Sequence, residues 1–311
     1  MVIVDPLRLD RLVEYVRVKH EHESVSDEMR GWSWEALKPI YDVYLSVSEV
    51  ANRYCPTYRD IYLKRVERVR APYTFKTVRG LAYHYLYARS LSLAKSILYN
   101  AGVVSGYKLL MESEKIMEDI VREALKHSTA YDVLNKREVR ILRRDLTSLY
   151  RYIFIQIAGM LDRYISETRF LTKDRVESIV YRVIPDLTEV RVDGSRIGLS
   201  NELYIDILRG NVVADIKTGD IRDFHRLTVA GYALALESDR RIPIDIGLVI
   251  YLSVVDGYVK YRVESFFIGD ELRQDFIETR DEAAKIVYRG RDPGKPVKCP
   301  SYCIYYSFCN G

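Results

Sequence analysis

What this 311-residue chain lacks narrows it first. It has no run of 18 or more apolar residues, so no segment reads as a membrane-spanning helix. The opening MVIVDPLRLDRLVEY lacks the pattern of a secretory signal, and a cytoplasmic protein is expected. No internal repeat or low-complexity tract stands out, which sets aside solenoids, collagen-like chains and long linkers. Only four cysteines occur, and in a cytoplasmic protein they do not read as a disulfide scaffold. An excess of one charge sign is missing as well. Lys and Arg number 48 against 44 Asp and Glu, a formal net charge of +4, which permits nucleic-acid binding without requiring it.

What is present is ordinary for a globular protein: 48% hydrophobic and 30% charged residues, enough for a sizeable core. Tyrosine is abundant, 26 against 8 phenylalanines, and with many charges of both signs this suits a heat-adapted protein. The apolar spacing predicts a short helix from about 5 to 20, then a polar link and an irregular arm, RGWSWEALKPIYD, over 30–42. LSVSEVANRYCPTYRDIYLKRV predicts a helix capped by Ser46 or Ser48, broken at Cys55-Pro56 and resumed. GLAYHYLYARSLSLAKSILYNAG predicts a helix ending at Gly102, and 107–183 is almost wholly helical in pattern. After Pro185 short β-rich runs take over: LTEVRVDG, SRIGLS, ELYIDILR, NVVADIKT, IDIGLVIYLSVVDG and YVKYRVESFFIG. One helix, FHRLTVAGYALALES, follows NVVADIKT, and another, DELRQDFIETRDEAAKIVYRG, leads to the tail. The expected class is α/β, a sheet with a large helical part preceding it. Segments divide at 1–80, 81–183, 184–290 and 291–311.

Three constellations carry chemistry. In NVVADIKTGD, strand alternation puts Asp215 and Lys217 on one face and Ile216 on the other. Lys217 is the only one of fifteen lysines with an acid two residues before it, yet chance supplies roughly two such triplets, so position must carry the argument. Asp206 lies in the preceding strand across a tight turn at Arg209-Gly210-Asn211, and the two aspartates can converge on a hard cation such as Mg²⁺ or Mn²⁺. The plainer reading is a solvated hairpin with ordinary charges. The second constellation is His84, one turn after Gly80 on a helix, which reads either as a packing residue or as a ligand. The third is Cys299-x₃-Cys303-x₅-Cys309 with Cys55 far upstream. Four thiolates hold zinc or an iron–sulfur cluster, and spacing does not separate the two; buried apolar cysteines are the alternative.

Taken in order, His84 in GLAYH, Asp206, and Asp215-Ile216-Lys217 in VVADIKTG resemble the RecB-type nuclease branch of the PD-(D/E)xK superfamily. FHRLTVAGYALALES resembles the helix that follows, where the family usually carries Gln-x₃-Tyr; here Tyr232 is kept and Thr228 stands at the glutamine position. The frame of one upstream and three terminal cysteines resembles the iron–sulfur members. RGWSWE, LSVSEVANRYCPTYRDIYL, RIGLSNELYIDIL and DPGKPVKC resemble the CRISPR-associated iron–sulfur exonucleases, in their archaeal type I-A variant.

That resemblance implies a restriction-endonuclease-like core over 184–290, with a helical arm before it over 1–80, a helical region over 81–183 and a cluster tail over 291–311. It implies a DNA exonuclease dependent on Mn²⁺ or Mg²⁺ that works beside the CRISPR adaptation integrase; the alternative is a non-catalytic DNA-binding scaffold subunit. His84, Asp206, Asp215 and the Ile216 carbonyl would hold the cation, Lys217 would act on the attacking water, and Tyr232 would touch the DNA path. Glu202 is the reserve for Asp206. Cys55, Cys299, Cys303 and Cys309 would ligate a 4Fe–4S cluster. Basic residues of 107–183, Arg143 and Arg144 among them, would flank the groove and follow phosphates.

Overall fold

The computed structural model describes residues 6–102, 105–168 and 176–310. Among the described residues, eight α-helices come first. They are α1 (Pro6–Lys19), α2 (Val47–Ala51), α3 (Arg59–Arg65), α4 (Phe75–Ala101), α5 (Gly106–His127), α6 (Ala130–Val133), α7 (Lys136–Glu167) and α8 (Val176–Val183). Then follow β1 (Leu187–Val192), β2 (Leu203–Arg209), β3 (Val212–Lys217), α9 (His225–Arg240), β4 (Ile246–Val255), β5 (Tyr258–Phe267), α10 (Asp270–Arg289) and α11 (Tyr306–Asn310).

Most boundaries have a local cause. Ser46, not Ser48, caps α2, in a reciprocal capping box with Glu49. Thr74 caps α4, which runs to Gly102 at φ +72°, a conformation that favours glycine. Asn135 and Glu138 form a second capping box at the start of α7. The segment SRIGLS is not a strand. Ser195–Ile197 forms a 3₁₀ turn and Gly198 adopts φ +71°, which breaks the extended run; only Leu199 bridges, to Leu45 of the amino-terminal arm. Residues 169–175 of the expected helical stretch lie outside the described residues.

Among the described residues, five strands form one mixed sheet in the order β1-β2-β3-β4-β5. All neighbours are antiparallel except β3 and β4, which are parallel and joined through α9. Each face of the sheet buries its own apolar cluster. On one side Ile207, Ala214, Ile216, Leu248 and Ile250 pack under α4, α5, α7 and α8. On the other, Ile205, Val213 and Val249 pack under α2, α9 and α10. The result is three layers, helices on both faces of a sheet whose central strands are apolar on both sides, as parallel pairing demands. No helix among the described residues is long and apolar enough to cross a membrane.

Candidate active site in the split sheet

The hairpin at Gly210 pairs Arg209 with Val212, Leu208 with Val213 and Ile207 with Ala214, and there the ladder stops. Ile205 and Ile207 pack into opposite clusters although they are two residues apart, so β2 turns over between them, at Asp206. In place of the next backbone pair, the Ile216 N–H donates to Asp206 Oδ2 at 2.8 Å. On the other side, β1 pairs Thr188 with Ile207 and Val190 with Ile205, which sets Glu189 opposite Asp206. Glu189 has φ +51°, unusual for a side-chain-bearing residue in a strand. The sheet is thus open at a row of three acids on three adjacent strands: Glu189, Asp206 and Asp215.

This opening lets groups from both helical layers meet. From α4, His84 Nδ1 lies 3.2 Å from Asp206 Oδ1. The helix approaches the end of β3 closely: a Cβ on Gly80 would stand 3.3 Å from Thr218 Oγ1, and Arg79 donates to the Thr218 carbonyl. From β3, Asp215 and Lys217 share a face, with Lys217 Nζ 2.9 Å from Asp215 Oδ2. That ion pair answers the buried Oδ2 directly with the lysine ammonium. From α9, Thr228 and Tyr232, one turn apart, face the same opening. His84, Asp206, Asp215, Lys217, Thr228 and Tyr232 line one cavity of about 1020 Å³ that continues to Tyr302 and Cys303 in the carboxyl tail, while Glu189 is not part of its lining.

The electrostatics follow from crowding acids into a partly dry site. Burial works against the His84 imidazolium, but the charge and hydrogen bond of Asp206 outweigh it and raise its pKa. Asp206 is in turn held low by His84 despite its own burial. Burial pushes Asp215 up; Lys217 offsets this only in part, and Asp206 adds to it. Lys217 is desolvated too, yet the Asp215 carboxylate keeps it charged and raises its pKa. Burial and then the field of Asp206, Asp215 and Glu189 raise the Tyr232 hydroxyl well above its usual range. His225, buried beside Lys217 and Arg222, is driven down to about 3 and stays neutral. The donors are three carboxylates and one imidazole, a hard, mostly oxygen set that fits Mg²⁺ or Mn²⁺.

A second cluster lies at the tail. Cys55, Cys303 and Cys309 are buried, Cys299 is half-buried, and all four are free thiols. Burial pushes the Cys303 thiol up to about 11, with Asp60, Cys55 and Cys299 adding to the effect, so three of the four sulfurs share one neighbourhood. Arg59 donates to Cys309 Sγ at 3.3 Å while also gripping Asp292. α3 and the tail are packed together there through Tyr62, Leu63 and Tyr305.

Comparison with known proteins gives the family. The family model described as CRISPR-associated exonuclease Csa1 matches residues 4–311. The chain is 32% identical over 304 residues to a protein of Saccharolobus solfataricus named CRISPR-associated exonuclease Csa1, covering 97% of this chain and 98% of that one. A protein of Thermoproteus tenax with the same name is 32% identical over 305 residues, with the same coverage. The chain belongs to the Csa1 family.

In this Csa1-family chain the structure brings His84, Asp206, Asp215, Ile216, Lys217 and Tyr232 to one opening. Glu202 stays outside it, exposed at the start of β2 and accepting from the Tyr204 hydroxyl. Sequence reasoning missed Glu189, whose Oε lies within 4.8 Å of ligand atoms of both His84 and Asp206. The helical region is not a groove wall: no described residue of 106–183 lines the cavity, and Arg143 and Arg144 are ion-paired with Glu118 and Asp145. Its helices buttress α4 from behind.

Proposed function

We propose that this chain is a metal-dependent deoxyribonuclease of the RecB-type PD-(D/E)xK class, an exonuclease that trims or selects DNA before spacer integration in CRISPR adaptation. The observation that carries this reading is the row of carboxylates at the opening of the sheet, with His84 entering from one helical layer and Lys217 beside Asp215. Both relatives bear the name exonuclease, and the family match spans nearly the whole chain.

His84, Asp206, Asp215 and the Ile216 carbonyl would hold one cation. When bound, Mn²⁺ or Mg²⁺ supplies Lewis acidity toward water and the phosphodiester. His84 must be neutral to ligate, so it releases its proton on binding. Lys217 keeps its ammonium beside Asp215, where it orients the attacking water and stabilises charge building on the phosphoryl oxygens. Tyr232, on the far wall, would contact the DNA strand.

Cys55, Cys299, Cys303 and Cys309 would hold a 4Fe–4S cluster. Among the described residues no three of these sulfurs lie within 4.8 Å of one another, looser than the S–S edge of about 3.8 Å in a zinc tetrathiolate. A cluster there would staple α3 to the tail and so close the far end of the cavity. The adaptation integrase is the partner implied.

The test is cleavage of end-labelled single-stranded DNA with Mn²⁺, using anaerobically purified protein beside Asp215→Ala. Loss of cleavage in the variant supports the active site. A folded, brown wild type that never cleaves, alone or with the integrase, leaves a DNA-binding scaffold instead. Brown colour with broad absorption near 400 nm, on the order expected for iron–sulfur, separates the cluster from zinc.

A further inference from the structure

The stretch DPGKPVKC has no role in the cleavage described above, yet its first residues complete a run of contacts between two of the cysteines. Cys55 Sγ lies 3.4 Å from Thr57 Oγ1, and the Thr57 hydroxyl donates to the Gly294 carbonyl at 2.8 Å. The Gly294 N–H donates to Asp292 Oδ1 at 2.9 Å, in a turn where Gly294 takes φ +82°. Arg59 grips Asp292 along one edge, through Nε at 2.9 and 3.1 Å and Nη2 at 2.7 Å. The remaining corner, Nη1, donates to Cys309 Sγ at 3.3 Å. A guanidinium holds five N–H donors in one rigid plane, so fixing one edge on a carboxylate fixes where the opposite corner points. The Thr57 hydroxyl has a single hydrogen and gives it to Gly294, which leaves Arg59 as the charged donor of the run.

We propose that Arg59 tunes the iron–sulfur cluster: held in place by Asp292, it donates a charged hydrogen bond to the Cys309 thiolate and raises the cluster's reduction potential. This rests on the 4Fe–4S reading above and adds to it a residue that is not a ligand. Reduction brings one electron, and so more negative charge, onto the iron–sulfur unit and its thiolates. A cation hydrogen-bonded to a ligand sulfur stabilises the reduced form more than the oxidised one. The contact is shielded from water, since the Arg59 side chain is 16% exposed and Cys309 7%. Arg59 is a positioning residue for the cluster and takes no part in cleavage. Arg65, at the other end of α3, supplies the internal comparison. It carries the same charge but pairs with Glu49 instead of a thiol.

The experiment uses anaerobically purified full-length protein, with iron and zinc counted first. Wild type is grown with arginine carrying nitrogen-15 in its guanidino group, and pulsed electron paramagnetic resonance of the reduced cluster reads coupling to that nitrogen. Coupling that disappears in Arg59→Lys supports the proposal; no coupling in the wild type, or coupling retained in Arg59→Lys, overturns it. Redox titration then compares wild type, Arg59→Gln, Arg59→Lys and Arg65→Gln at equal iron per chain. Arg59→Gln should shift the reduction equilibrium about tenfold toward the oxidised form, about 59 mV more negative for one electron. Arg59→Lys keeps the charge but lacks the fork that grips Asp292 and Cys309 at once, so it should fall between. Arg65→Gln should keep the wild-type potential. Equal potentials in wild type and Arg59→Gln, or an equal drop in Arg65→Gln, overturn the tuning role while the cluster reading stands. Should Arg59→Gln lose its iron, the labelled wild type and Arg59→Lys decide. A colourless wild type that holds zinc overturns the cluster and the tuning together.

Discussion

α9 carries a buried charge cluster toward each of its ends, and the two are built on opposite terms. Toward its carboxyl end, Glu237 is fully buried and fully answered. Arg273 meets it at 2.7 and 3.1 Å, Arg30 at 2.9 Å, and the N–H groups of Gly31 and Ile244 at 2.8 and 2.9 Å. Arg273 spends its remaining donors on the carbonyls of Ile268, Ile244 and Met29. This knot ties the amino-terminal arm to α9 and α10. Toward the other end, Thr228 and Tyr232 share a cavity with the carboxylates of Asp206 and Asp215, one imidazole and one lysine, and the buried Thr228 hydroxyl goes without a hydrogen bond. Burial is comparable; completeness is not. A cluster whose every lone pair is met serves the fold, whereas one left short of cations and donors is arranged for something that arrives later.

The largest effects should separate the two ends cleanly. Glu237→Ala leaves Arg273 and Arg30 facing a cavity and should cost about 3–5 kcal/mol of stability, read from chemical denaturation. Asp215→Asn should lower DNA cleavage by about a thousandfold while the unfolding midpoint holds or rises. A stable Glu237→Ala protein, or an unfolded Asp215→Asn one, would erase the distinction.

Acidity gives a finer cut. Asp215 binds its proton more tightly in the folded chain, burial being the first cause. Its stabilising contribution is therefore complete below the ordinary value of 3.8 and is lost as pH rises through its folded value of about 6. In chelator, the wild type should fall behind Asp215→Asn between those two pH values, by on the order of 3 kcal/mol at neutrality given about 1.4 kcal/mol for each pH unit. Saturating Mn²⁺ should close the gap. The raised His84 sets the matching trend in binding: the cation displaces a proton, so Mn²⁺ affinity should climb with pH. Pairs of titrations at pH 6 and 8 check the direction, and a flat response would mean that His84 is no ligand.

Much of this was legible beforehand, for identifiable reasons. Gly210 and the β-branched run around Ala214 announce a hairpin, and alternation places Asp215 with Lys217. The cysteine spacing announces the tail cluster, though not Arg59 beside it. Glu189 was hidden because LTEVRV reads as an edge strand with a solvated glutamate; only the register against β2 shows that it stands opposite Asp206. SRIGLS misled because Ile197 and Leu199 alternate like a strand while Gly198 turns the chain. The amphipathic helices of 106–183 disclose which face is buried but not what covers it, so their distance from the cavity could not be read.

The smallest predicted effect probes the comparison at a single atom. Thr228 and Thr279 are both buried, at 1% and 3% exposure. The Thr279 hydroxyl donates to the Asp275 carbonyl at 2.7 Å and accepts from Arg53, whereas the Thr228 hydroxyl has no hydrogen-bond partner. Exchange for valine keeps the shape and removes only the hydroxyl. At Thr279 it should cost about 1 kcal/mol, the usual worth of a satisfied hydrogen bond. At Thr228 the same exchange in cation-free protein should be neutral or stabilising by about the same amount, because a desolvated, unanswered hydroxyl is already a cost. Parallel melts of the two variants decide it. Equal losses would mean that Thr228 is answered in solution as fully as Glu237 is, and the opening would then be one more finished piece of the core.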